Sequence, residues 1–173
     1  MKRLVSQFTK QLLEALEIGE SAKLKTNKKE ISSMVITGLG GSGIGGKIAT
    51  QIIAEQLKIP VIINNDYNLP EFVNENTLVI VSSFSGNTEE TLEALKKAQL
   101  AEAEIACITS GGKIAEIAKT KNYNLIILPK AFSPRAMLTY SIVQQLFLFN
   151  HYGLINDSFI NEIASTISLL DKE

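Results

Sequence analysis

No second cysteine stands anywhere in this chain to pair with Cys107, so an intrachain disulfide is excluded. His151 is likewise the only histidine, and one thiol with one imidazole cannot assemble a typical zinc site. Neither a metal nor a cofactor is expected. No sign of charge predominates: 17 Lys and Arg meet 18 Asp and Glu, for a formal net charge of -1. That balance offers no electrostatic basis for gripping a nucleic acid. The basic residues that do cluster, Lys23, Lys25, Lys28 and Lys29, are flanked by Glu20 and Glu30 and lack interleaved aromatics. They read as a solvated loop. Long hydrophobic runs are missing too. Met1-Lys2-Arg3-Leu4 passes into polar Ser6, Gln7, Thr9 and Lys10 without a signal-peptide core, and no stretch approaches a bilayer span. The expected setting is the cytoplasm, with no membrane partner. Internal repeats and low-complexity segments are also absent.

What is present is an ordinary globular composition, 45% hydrophobic and 20% charged, in 173 residues, enough for one full-sized core. Leu4, Val5, Phe8, Leu12, Leu13 and Leu16 recur at helical spacing and predict an amphipathic helix over residues 4–17. From residue 33 short β-branched runs alternate with helical segments. Strands are predicted at 34–37, 60–63, 78–81, 105–109 and 124–128, and helices at 43–57, 88–100, 112–119 and 134–150. The strands are continuously apolar rather than alternating, as in a parallel sheet covered on both faces. The expected fold is therefore α/β, a doubly wound five-stranded parallel sheet with flanking helices in flavodoxin-like order. The link over 64–76, with Asn64-Asn65-Asp66, Pro70 and Asn74, reads as irregular rather than as a helical crossover. The helix at 134–150 is apolar most of the way round. One side can meet the sheet; the other is expected to meet a second domain or another subunit. A last amphipathic helix begins near Asn156 or Asp157, with Phe159, Ile160, Ile163, Ile167 and Leu170 on one face.

Chemistry concentrates in two strand-to-helix turns. After Leu78-Val79-Ile80-Val81 comes Ser82-Ser83-Phe84-Ser85-Gly86-Asn87-Thr88-Glu89-Glu90. After Met34-Val35-Ile36-Thr37 comes Gly38-Leu39-Gly40-Gly41-Ser42-Gly43-Ile44-Gly45-Gly46. Hydroxyls and free backbone N–H groups at the positive end of a helix dipole cradle a phosphate or carboxylate. Gly38, Gly40 and Gly43 have dinucleotide-like spacing, but Asn64 and Asn65 stand where a ribose-binding acid belongs. Walker-type binding is not expected, because Ile48 follows Gly46-Lys47 where that motif needs Ser or Thr. A bland reading stays open for the first turn, close packing of helix on sheet. For the second it would be a helix cap from Ser85 or Asn87, but capping needs one hydroxyl and this turn has three. Anion binding is the better account. Arg135 follows Pro134 at the head of a helix, where a guanidinium could bind a phosphorylated substrate or form a surface ion pair. His151 reads as a cation at a helix C-terminus.

Gly-Leu-Gly-Gly-Ser-Gly-Ile at 38–44, Ser-Phe-Ser-Gly-Asn-Thr-Glu-Glu-Thr at 83–91 and Ser-Pro-Arg at 133–135 together resemble the sugar isomerase (SIS) domain family. The likeness is greatest to the amino-terminal half of its bifunctional phosphoglucose/phosphomannose isomerases, from about residue 30 to 153. The resemblance implies an aldose–ketose isomerase that interconverts glucose 6-phosphate or mannose 6-phosphate with fructose 6-phosphate through a cis-enediolate, without a metal. It implies substrate binding by Gly40, Gly41, Ser42, Ser83, Ser85 and Thr88, and a catalytic Arg135 beside the reacting carbons. It also implies a sugar-phosphate-binding domain over 1–153, with 154–173 leading toward a second SIS domain, and association as a homodimer or with that domain. Two departures stand out. Lys47 occupies a place where the family commonly has an acid. The family's base glutamate, ring-opening histidine and lysine belong to a second half, and neither Glu89, Glu90 nor His151 matches them. A non-catalytic module sensing phosphorylated sugars, and a compact single-domain isomerase such as those for phosphoheptose or hexulose phosphate, are the alternatives.

Overall fold

The computed structural model describes residues 7–27, 29–130 and 137–170. Five strands are described: β1 (Ser33–Thr37), β2 (Val61–Asn64), β3 (Thr77–Ser82), β4 (Glu104–Thr109) and β5 (Asn124–Ile127). Six helices accompany them: α1 (Phe8–Ser21), α2 (Gly41–Ile52), α3 (Glu89–Leu100), α4 (Gly112–Lys121), α5 (Leu138–His151) and α6 (Ser158–Leu170). All strand pairs are parallel, in the order β2-β1-β3-β4-β5 expected of a doubly wound sheet. Every residue of β1 and β3 is buried, which is why both read as unbroken apolar runs.

Side chains leave each strand alternately up and down, so the sheet has two cores. Met34, Ile36, Leu78, Ile80 and Ile108 face the layer built by α1, α2, α5 and α6. Val35, Val79, Val81, Ile105 and Cys107 face α3 and α4 through Leu95, Ala98, Ile114 and Ala118. The winding reverses between β1 and β3. The connections that leave their carboxyl ends part to opposite faces of the sheet, and the crevice between them is the usual ligand position of such sheets.

Much of the second face of α5 is covered by the chain's own helices, so its all-round apolar character does not by itself require an outside partner. α1, α2 and α6 enclose Tyr140, Val143, Leu146, Leu148 and Phe149, all nearly inaccessible to solvent. A side chain at Gly19 would land inside the Phe147 ring, so the glycine lets α1 and α5 approach closely. Gln144 Nε2 donates to the Ala15 carbonyl at 2.7 Å, and Tyr140 donates to Glu14 at 2.6 Å. Phe147 meets Phe159 of α6 edge to face at 5.1 Å.

Boundaries differ more than types. α1 ends at Ser21 rather than 17, because Ile18 and Gly19 still pack on α5; residues 4–6 lie outside those described. α2 begins at Gly41, right after Gly40 adopts φ +53°, and stops at Ile52. Residues 53–57 continue as tight turns closed by bonds such as Gln56 N–H to Ile53 O, 2.9 Å. The 65–76 link is irregular, as its composition predicts, and is braced by Asn74, whose side chain accepts from Asn76 N–H at 2.9 Å. No helix among the described residues is long and apolar enough to cross a membrane.

Candidate functional site

Two glycine-containing turns meet at the carboxyl ends of β1 and β3. A Cβ on Gly38 would sit 2.6 Å from the Ser82 carbonyl oxygen, so glycine at 38 brings the two strand tips together. Gly40 then takes a backbone conformation that L side chains avoid, and α2 starts on the next residue.

The serine turn is fastened from beneath. Ser83 N–H continues the sheet by donating to Ile108 O at 3.0 Å. The Ser83 hydroxyl lies 2.8 Å from the Thr88 hydroxyl and accepts from Gly86 N–H at 3.2 Å. Ser85 Oγ accepts from Asn87 N–H at 3.2 Å, and Asn87 Oδ1 accepts from Lys113 N–H at 3.0 Å. Ser110 N–H and Oγ both donate to Phe84 O, at 3.0 and 2.7 Å. Ile114 N–H donates to Gly86 O at 3.0 Å. Gly86, at φ +69°, backs so closely on the Gly111 carbonyl that no side chain fits between them. These bonds tie the turn to the start of α4.

Neither helix facing the crevice is capped by a side chain. Gly40 is the N-cap of α2, and Thr88, the N-cap of α3, turns its hydroxyl to Ser83 instead. The first N–H groups of both helices therefore lack side-chain partners, which is the arrangement that accepts an anion. Glu89 and Glu90 sit in the first turn of α3, where their charge complements the dipole.

A cavity of about 160 Å³ opens between the turns. Gly41, Ser42, Ser85 and Thr88 are among its lining residues. Leu39, Phe84, Leu128, Met137, Leu138 and Ser141 complete the lining. Of the residues singled out from sequence, Gly41, Ser42, Ser85 and Thr88 thus converge. Gly40 shapes the rim as the α2 N-cap, and Ser83 is a buried brace behind Thr88. Arg135 lies outside the described residues, although Met137 and Leu138, which follow it closely in sequence, border the cavity. Lys47 is exposed on α2 and is not among the cavity-lining residues.

Sequence reasoning missed Leu39, Phe84, Leu128, Met137, Leu138 and Ser141. Loop hydrophobes and a serine inside an apolar helix carry no signal of their own; only their position next to the recognised turns could have marked them. His151 is in the last turn of α5, as its reading as a helix C-terminal group requires, and Nε2 donates to the Lys25 carbonyl at 2.7 Å. Nearby, Tyr152 donates to Glu104 at 2.9 Å and accepts from Asn124 Nδ2 at 2.8 Å, which ties α5 to the amino-terminal edge of the sheet. Burial pushes the Tyr152 hydroxyl well above the ordinary phenol range. No group of three or more His, Cys, Asp or Glu gathers for a metal among the described residues.

The family model for the SIS domain matches residues 28–154. A bifunctional phosphoglucose/phosphomannose isomerase of Caldicellulosiruptor bescii is 43% identical over 166 residues, covering 96% of this chain and 49% of that protein. One from Thermoplasma acidophilum is 36% identical over 163 residues, covering 88% of this chain and 49% of that protein. The chain therefore spans about half the length of the curated relatives it matches. A solved structure from Clostridium difficile 630, described as a candidate phosphosugar isomerase, superposes with TM-score 0.73 at 21% identity, covering 99% of this chain and 52% of that one. At that identity the likeness shows the fold.

Proposed function

The chain belongs to the SIS domain family, and on that premise we propose that it is the sugar-phosphate-binding half of an aldose–ketose isomerase. Its substrates are glucose 6-phosphate or mannose 6-phosphate and fructose 6-phosphate. One observation carries this reading: Ser42, Ser85 and Thr88 face one cavity at the side-chain-uncapped ends of α2 and α3. Neutral hydroxyls and amides suit a phosphate monoester that must be bound and released.

In the reaction, a base removes the C2 proton of the opened aldose to give a cis-enediolate, the hydroxyl proton passes from O2 to O1, and the base returns its proton to C1, leaving the carbonyl at C2. Arg135 stabilises the negative charge that develops on the two oxygens. The acid and base themselves come from a second SIS domain, toward which residues 154–173 lead from the binding domain at 1–153. Two observations support that division. The cavity-lining residues are apolar, glycine or hydroxyl-bearing, with no carboxylate or imidazole among those described. A volume of about 160 Å³ also falls below the roughly 300–1,000 Å³ of pockets that enclose a whole small-molecule ligand. The second SIS domain, within the same protein or across a homodimer, supplies the missing wall.

The test is calorimetric titration of the 173-residue chain with fructose 6-phosphate. Binding should saturate, and the double change Ser85→Ala, Thr88→Ala should weaken it by about 100-fold or more, the sum of two hydrogen bonds to a charged group. Unchanged affinity in that folded variant would remove the phosphate cradle. The lack of a described acid or base in the cavity also favours a second reading, a non-catalytic sensor of phosphorylated sugars.

A further inference from the structure

Outside the glycine and serine turns, the cavity lining is apolar apart from one polar side chain. Ser141, on the first turn and a half of α5, borders the cavity beside Leu138 and Met137 and is only 6% exposed. Its Oγ is buried without a hydrogen-bond partner. A serine in a helix can satisfy itself on the carbonyl four residues back, but this one does not. The hydroxyl occupies a notch on α2 where a side chain at Gly45 would overlap it. Gly45 stands one helical turn beyond Gly41, so the notch adjoins the anion-accepting end.

A buried hydroxyl with nothing to bond is costly, and alanine would fill the same space without that cost. The position makes physical sense when the partner arrives with the ligand. We infer that Ser141 is a specificity-determining residue of this site: its hydroxyl leaves the Gly45 notch by rotation about χ1 and hydrogen-bonds a hydroxyl or carbonyl oxygen of the sugar chain. Serine both donates and accepts, so it can pair with either group. It therefore distinguishes a polyol phosphate from an alkyl phosphate of similar length. The inference rests on the phosphosugar reading above, and deepens it from the phosphate to the carbon chain.

Dissociation constants of the full chain and of Ser141→Ala should be compared for fructose 6-phosphate, n-hexyl phosphate and inorganic phosphate. The variant should bind fructose 6-phosphate about three- to tenfold more weakly, one neutral hydrogen bond, and the other two ligands within about twofold of the unaltered chain. Equal affinity for all three ligands in both proteins overturns the role of Ser141, as does an equal loss for all three. A chain that binds neither fructose 6-phosphate nor inorganic phosphate overturns the phosphosugar reading itself. The unaltered protein offers a check independent of the variant's folding: Ser141 resonances should move with fructose 6-phosphate and stay in place with inorganic phosphate. Resonances that ignore both ligands count against the inference.

Discussion

Cys107 lies in the middle of β4 with no solvent-accessible surface, and burial pushes its thiol from the ordinary 9.0 up to about 12. The thiolate is the reactive form, so a thiol-specific reagent at pH 8 should leave the native protein untouched and label it once only after unfolding. Labelling of the native chain at the rate of a free thiol would contradict the burial. The same shift links stability to pH. The unfolded chain releases the Cys107 proton from about pH 9 upward, while the folded chain keeps it toward 12. The contribution of this group to stability is thus complete below pH 9 and is lost across that window. Tyr140 and Tyr152, both pushed up mainly by burial, add to the decline above pH 10. The melting temperature should be level from about pH 7 to 9 and fall beyond, with a shallower fall in Cys107→Ala. At this scale the hydroxyls of the serine turn are legible because three of them crowd one glycine. Which of them faces the ligand is not: Ser83 and Ser85 are two residues apart, yet one is a buried brace and the other exposed. Ser141 is invisible in the sequence, since it breaks no helical pattern.

α1 and α5 show what period and composition convey about an element and what they leave out. Both helices follow from apolar spacing, and the all-round hydrophobicity of α5 correctly signals burial on more than one side. The identity of the cover was not legible, because α1 precedes α5 by more than a hundred residues and nothing local pairs them. The contact itself is testable at Gly19. Alanine in a helix interior ordinarily gains about 1 kcal/mol over glycine. Here its methyl would enter the Phe147 ring, which is held in turn against Phe159. Overpacking costs about 1–3 kcal/mol and should win, so Gly19→Ala is expected to lose about 1 kcal/mol in denaturant unfolding. A gain of stability would mean that the ring yields freely. Helix ends are less legible than helices. Ile52, Ile53 and Leu57 extend the apolar spacing of α2, but the backbone leaves the helix at Ile53, at φ -106° and ψ 14°.

For the molecule as a whole, strand order follows from alternating segments and continuous apolar strands, and the crevice between β1 and β3 follows from that order. What the order cannot convey is how much of a working site one such sheet contains. Positioned acid–base groups contribute about 100- to 10,000-fold to proton transfers, and the proposed division puts them in a second SIS domain. A coupled dehydrogenase assay should therefore detect no conversion of fructose 6-phosphate by this chain alone, and conversion once a second SIS domain is joined to it. Ready turnover by the chain alone would put acid and base within these residues. Binding without turnover in the joined protein would favour the sensing reading.

The bonds that fasten the serine turn to α4 have a kinetic consequence. A receptacle that is already set charges little ordering entropy to an incoming molecule, so capture does not wait for a loop to freeze. Competing phosphate esters will then arrive at similar frequencies and differ in how long each one stays.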